Sequence, residues 1–196
     1  VAGASFQGTR QSRTQSYLIV AATIEEAGTR LRAALAVGPE VKTIRLLLHP
    51  TSEQFGPWLE AARAASREIR GQMVQRLFGR LFTRAGYEVE LGRELDVFAR
   101  GPLRSVFVEV KSSLDGGIFG SHKGITQLEG YLAMSQRRRA QRWLGTMGIN
   151  GPIHLSARLR AYMRGGNVGL IEVRWVAPEN TLRPYLWSVG ERDPTR

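Results

Sequence analysis

Arg93-Glu-Leu-Asp-Val-Phe-Ala99, followed by Val106-Phe-Val-Glu-Val-Lys-Ser112, is the stretch on which the fold turns. Both segments are apolar and β-branched in part, and Arg100-Gly-Pro-Leu-Arg104 between them has turn composition, so they predict a β-hairpin. Side chains alternate along a strand. Leu95 and Val97 therefore take one face, and Glu94, Asp96 and Phe98 the other. In the partner strand Val106, Val108 and Val110 take the core face, and Phe107, Glu109 and Lys111 the opposite one. Two neighbouring strands thus place Asp96, Glu109 and Lys111 together. Two carboxylates beside an apolar sheet are costly unless a cation compensates. A divalent metal with oxygen ligands does so, and Mg²⁺ takes one or two carboxylates plus substrate phosphate and water. The lysine adds a fixed positive charge near a scissile phosphate. Acid, acid and lysine in this pattern suit metal-assisted phosphodiester hydrolysis. Ordinary salt bridges on an exposed hairpin would use the same tripeptide. Against that stand the apolar strand around Glu109-Val-Lys111, the acid on a second apolar strand, and the scarcity of lysine, which occurs only at 42, 111 and 123.

Working outward, residues 1–15 are polar and Gly/Ser-rich, a flexible lead-in. A strand is predicted over Ser16–Ala22. Thr23-Ile-Glu-Glu26 is a capping box opening a helix to about Val37, which Gly38-Pro39 stops. Val41–Leu48 is a second strand. Residues 1–50 are thus expected to form a β-α-β annex, either an interaction module or an extension of the main sheet, and residues 51–196 the principal domain. Thr51/Ser52 cap a helix expected to reach about Arg84, with a weak point near Gly71 and an apolar stripe of Met73, Leu77, Phe78, Leu81 and Phe82. Gly86 ends it. Strands follow over Tyr87–Leu91, Glu94–Ala99 and Ser105–Ser112. After a Gly-rich loop, a helix is predicted over Ile125–Trp143, another over Ile153–Met163, and strands over Val168–Val176 and Thr181–Ser188. The order α-β-β-β-α-β makes an α/β mixed sheet flanked by helices.

Asp96…Glu109-Val-Lys111 resembles the core of the PD-(D/E)xK nuclease superfamily, with Leu95 where the family's leading Pro stands. Gln127-Leu-Glu-Gly-Tyr131 is similar to the Q-x-x-x-Y motif of RecB-type and lambda-exonuclease-type members. The matching elements span residues 66–131, about a third of the chain. The resemblance implies a restriction-endonuclease-like fold and a Mg²⁺-dependent nuclease, with Mn²⁺ as substitute. Asp96 and Glu109 would hold the metal with the carbonyl of Val110. Lys111 would assist the attacking water, and the product would carry a 5′-phosphate. Gln127 and Tyr131 would brace the site and contact a phosphate. The family usually has one more acid on the first helix. Here Glu68 serves as metal ligand, or Gln75 replaces the acid, or Glu94 compensates from the strand.

The wider composition frames these expectations. The chain has 196 residues, a net charge of +11, 42% hydrophobic residues and no cysteine. It can fill a core, and it has neither a disulfide framework nor a Cys-based zinc site. No apolar run approaches the roughly 18 residues of a membrane span, and no signal peptide is evident. The first residue is Val, as in a piece of a longer chain. The histidines at 49, 122 and 154 are scattered, and no G-K-[ST] phosphate loop is present. Residues 1–65 and 66–131 each carry +2 and residues 132–196 carry +7. Lys123, Arg137, Arg138, Arg139 and Arg142 are therefore expected to grip a phosphate backbone. DNA is preferred to RNA as substrate, and the site of action is cytoplasmic, in the protein's own or a target cell. The domain would suit a secreted toxin, with an acidic immunity protein as partner, or a restriction or repair nuclease. The alternative is a non-catalytic nucleic-acid-binding or partner-binding domain on a degenerate nuclease scaffold.

Overall fold

The computed structural model describes residues 15–38, 41–92, 96–101, 104–119, 126, 129 and 140–176. Along the chain these form β1 (Gln15–Ala21), α1 (Ile24–Ala36), β2 (Val41–Leu48), α2 (Phe55–Ala64) and α3 (Arg67–Arg84). Then come β3 (Glu88–Leu91), β4 (Val97–Arg100), β5 (Ser105–Ser113), β6 (Gly117–Phe119), β7 (Ala140–Gly148), β8 (Ile153–Leu155), α4 (Ala157–Gly165) and β9 (Gly169–Trp175). Seven strands join in one sheet in the order β1-β2-β9-β7-β5-β4-β3, and β6 pairs with β8 apart from it. The β3-β4-β5 meander is antiparallel, and all other pairs of the large sheet are parallel. The protein is thus α/β, with a mostly parallel mixed sheet flanked by helices. The β-α-β segment extends that sheet, because β2 pairs along its length with β9.

Strand alternation sorts the side chains onto two faces. Ile44, Leu46, Val97, Ala99, Val106, Val108, Trp143, Met147, Ile171 and Val173 share one core with α1 and α3. Leu144 points the other way, into a smaller core with Leu155, Leu159 and Met163 below α4. Helices α1 and α3 meet closely at Gly28, where a Cβ would lie 2.3 Å from that of Arg84. Thr23 Oγ1 accepts the Glu26 N–H at 3.2 Å. Glu26 reaches back one residue further than in the usual capping box, to the Ala22 N–H at 2.9 Å. Gly86 ends α3 with φ +86°, open to glycine at no steric cost.

Three predicted helices are corrected. The helix expected from 51 to 84 is two helices, broken at Ala65–Ser66 and not at Gly71. Ser66 is extended and accepts the Ile69 N–H on its Oγ, so it caps a new helix. Buried Arg70 donates to the carbonyls of Ala62 and Ala65, which α2 leaves without helical partners. The segment 140–143 belongs to strand β7, not to the helix expected over Ile125–Trp143. Strand β7 is buried on both faces at its C-terminal end, so Trp143, Leu144 and Met147 follow no two-residue alternation that would mark a strand. Thr126 and Glu129 are helical. The helix expected over Ile153–Met163 is β8 and then α4, divided by Ser156, whose Oγ accepts the Leu159 N–H at 3.3 Å. Of the lead-in expected over residues 1–15, Gln15 begins strand β1 and the rest lies outside the described residues, as does the strand expected over Thr181–Ser188.

Candidate active site

The hairpin β4–β5 carries the acids. The β4–β5 ladder ends with the Val97–Val108 pair. Just before it, Asp96 turns its carboxylate to strand β5, and Oδ2 accepts the Val110 N–H at 2.7 Å. The side chain thus takes the donor that a longer β4 would have bonded. The N–H and C=O of one strand residue point to the same side, so the Val110 carbonyl opens toward Asp96 too. Glu109 is buried, 1% exposed, and its Oε1 accepts from Lys111 Nζ. Phe98 and Phe107 stack with ring centroids 4.5 Å apart on this face, and they lower the local dielectric beside the acids.

Burial pushes the Asp96 carboxyl above its ordinary value, and the neighbouring Glu109 charge adds to the rise. The Val110 N–H and Lys111 work against it. Among the described residues no three His, Cys, Asp or Glu side chains converge. The donor set here is two carboxylates and a main-chain carbonyl. All are hard oxygen donors and the two carboxylates are anionic, a set that fits Mg²⁺ completed by water.

A cleft of about 470 Å³ lies beside this pair, lined by Arg67, Glu68, Gly71, Gln72 and Gln75 of α3 and by Asp96 and Val110. Glu68, exposed on the α3 wall, shares the cleft with Asp96. Gln75 has another role than an acid's. Its Nε2 donates to the carbonyls of Asp96 at 2.7 Å and Gly92 at 3.1 Å, which fastens the chain entering β4 to α3. An unprotonated glutamate could not make either bond.

The structure therefore brings Asp96 together with Glu109, Val110 and Lys111, whereas Glu68 lines the cleft with Asp96 and Val110 but does not join the carboxylate pair. Arg142 stands on β7 across from Phe107, and its guanidinium donates to the Gly166 carbonyl, a packing contact. Gln127, Tyr131, Lys123, Arg137, Arg138, Arg139 and Glu94 lie outside the described residues.

Sequence reasoning missed a second charged group on the same face. Glu172, 6% exposed, binds Arg45 at 3.1 Å and Arg174 at 2.5 Å. Strand register places Lys111 beside Thr146 and Thr146 beside Glu172. The signal was available, since Glu172-Val-Arg174 has the same acid-x-base spacing as Glu109-Val-Lys111. What separates them is the second carboxylate, Asp96, found only beside the first.

No family model, no curated protein and no solved structure matches the chain. Among the described residues no helix is long and apolar enough to cross a membrane.

Proposed function

We propose that the protein is a metal-dependent nuclease of the PD-(D/E)xK type that hydrolyses phosphodiester bonds, with DNA favoured over RNA. The observation that carries this is the contact of Asp96 with the Val110 N–H, next to buried Glu109 and its partner Lys111. The order α3-β3-β4-β5, with β7 parallel to β5, supports a restriction-endonuclease-like core.

Asp96, Glu109 and the Val110 carbonyl would hold Mg²⁺, or Mn²⁺ in its place. The ion supplies neutralisation of phosphate charge and a lowered pKa for water. The protein's own groups do the remainder. Asp96 is oriented from both ends, its carboxylate by the Val110 N–H and its main chain by Gln75. Lys111 is held at the mouth of the site by Glu109 and stabilises charge developing on phosphate oxygens. The apolar floor of Phe98 and Phe107 strengthens each of these interactions. The domain would act in a cytoplasm, its own or a target cell's, as a toxin, restriction or repair nuclease. An acidic immunity protein is the inhibitor that its +11 charge suits.

One observation favours the second reading, a non-catalytic binding domain on a degenerate nuclease scaffold. Gln75, where relatives carry an acid, is engaged with backbone. Incubation with plasmid, linear and single-stranded DNA and with RNA, in Mg²⁺ or EDTA, separates the two. Metal-dependent cleavage that Asp96→Ala and Lys111→Ala abolish is the expected result. Binding with no cleavage of any substrate selects the binding domain, and cleavage that survives both substitutions places the chemistry elsewhere.

A further inference from the structure

Helix α3 runs unbroken through Gly71, although glycine is the poorest helix former after proline. Packing does not require it. A Cβ built at Gly71 meets no heavy atom of the described residues within 4 Å, whereas at Gly79 of the same helix it would lie 3.0 Å from Leu91. Gly79 is explained by its neighbour. Gly71 instead forms part of the cleft wall, on one stripe with Glu68, Gln72 and Gln75. Glycine in such a place admits a ligand close to the backbone.

A second hollow of about 380 Å³, lined by Gln72, Gln75, Arg76, Leu91 and Gly92, shares Gln72 and Gln75 with the first. The two hollows lie on either side of the Gln75 tether, on the α3 surface from Arg67 to Arg76, about 14 Å at 1.5 Å per helical residue. A cation stands toward each end, and Asp96 lies between them. The shape suits a linear polyanion with its reacting phosphate at the acids and neighbouring phosphates at the arginines.

We propose that the nucleic-acid strand being cut crosses α3 at Gly71, with Arg67 and Arg76, nine residues apart and so on opposite sides of the helix, meeting phosphates on either side of the cleaved bond. This rests on the nuclease reading above. Gly71 is a binding residue by what it lacks, and any side chain there enters the path of the strand.

The test is a series of Gly71→Ala, Gly71→Leu and Gly71→Phe, assayed on single- and double-stranded oligonucleotides in Mg²⁺ beside thermal melts. Melting temperatures equal to or above wild type are expected. kcat/KM should fall with side-chain size, by at least about tenfold for Gly71→Leu and mainly through KM, as for a displaced substrate. Independently, Arg67→Ala and Arg76→Ala should each flatten the slope of log affinity against log salt by about 0.7 to 0.9. Wild-type kcat/KM in Gly71→Leu together with unchanged salt slopes overturns the strand path while leaving the nuclease reading intact. A wild-type protein that cleaves no substrate removes the reading and the path with it.

Discussion

Gln75 Nε2 lies 2.7 Å from the main-chain oxygen of Asp96 and donates to it. A helix side chain thereby fixes the backbone of the acid, while the sheet fixes its carboxylate. Gln75→Glu turns a donor into an acceptor facing two carbonyls. The variant should lose about 1–3 kcal/mol of stability, the cost of unsatisfied groups, and should cleave more slowly than wild type. Denaturant unfolding and kcat measure both. A gain in cleavage would show instead that the position takes an acidic ligand.

The raised carboxyl of Asp96 carries a pH signature. A carboxyl with a raised folded pKa binds its proton more tightly in the folded chain than in the unfolded one. Its stabilising contribution is complete below the ordinary value of 3.8 and is lost as pH rises through the folded value. Asp96→Asn keeps an acceptor for the Val110 N–H and removes the repulsion from Glu109. Without metal it should melt higher than wild type at neutral pH, and the difference should vanish in acid. A melting series across pH reads this directly.

Divalent cation should reverse that ranking. Mg²⁺ at about 100 times its dissociation constant stabilises a folded protein by about 2.7 kcal/mol. Wild type should show such a rise, EDTA should remove it, and Asp96→Asn should lack it. A rise of equal size in the variant would place the ion elsewhere.

The proposed function gives Lys111 two jobs, which different substitutions separate. Glu109 is almost wholly buried, so Lys111→Ala removes a cation in contact with its carboxylate and should destabilise as well as inactivate. Lys111→Arg keeps the charge but not the compact ammonium geometry. It should melt near wild type and still lose about 10²–10³-fold in kcat. Full activity in the arginine variant would reduce the lysine to a counter-ion.

Glu172 is the contrasting case. Its carboxylate is shared by Arg45 and Arg174, and Glu172→Gln should cost about 3 kcal/mol, as for a broken buried pair. Activity per folded molecule should stay at the wild-type level. Such a result would leave chemistry, in the proposed function, to the Glu109–Lys111 pair on the same face.

The hairpin was legible in the sequence because its turn, its alternation and its acids lie within twenty residues. Glu109 and Lys111 share one face of β5 as alternation required, Asp96 reaches them from just before β4, and Val41–Leu48 runs as expected. Strand β7 was hidden because Trp143 and Leu144 face different cores, which erases the two-residue period. The Ser66 break was hidden because the residues before and after it are both helix-forming, and only the extended backbone of the cap divides them. The Gln75 bonds depend on a carbonyl about twenty residues away, and no local pattern encodes a partner at that distance. Gly71 read as a weak point of a helix, where it is a continuous turn facing open space.

Strand β9 lies between β2 and β7, yet it is the latest of the seven strands in the chain. The hairpin with the acids and the N-terminal β-α-β unit are both synthesised long before the strand that joins them. On the ribosome, each half waits with an unpaired edge, and domains fold as units while synthesis proceeds. Closure of the sheet therefore tracks the emergence of residues 169–175. A chain stalled before that point holds its carboxylates on the half made of α3, β3–β5 and β7, with the edge of β7 that β9 covers left open.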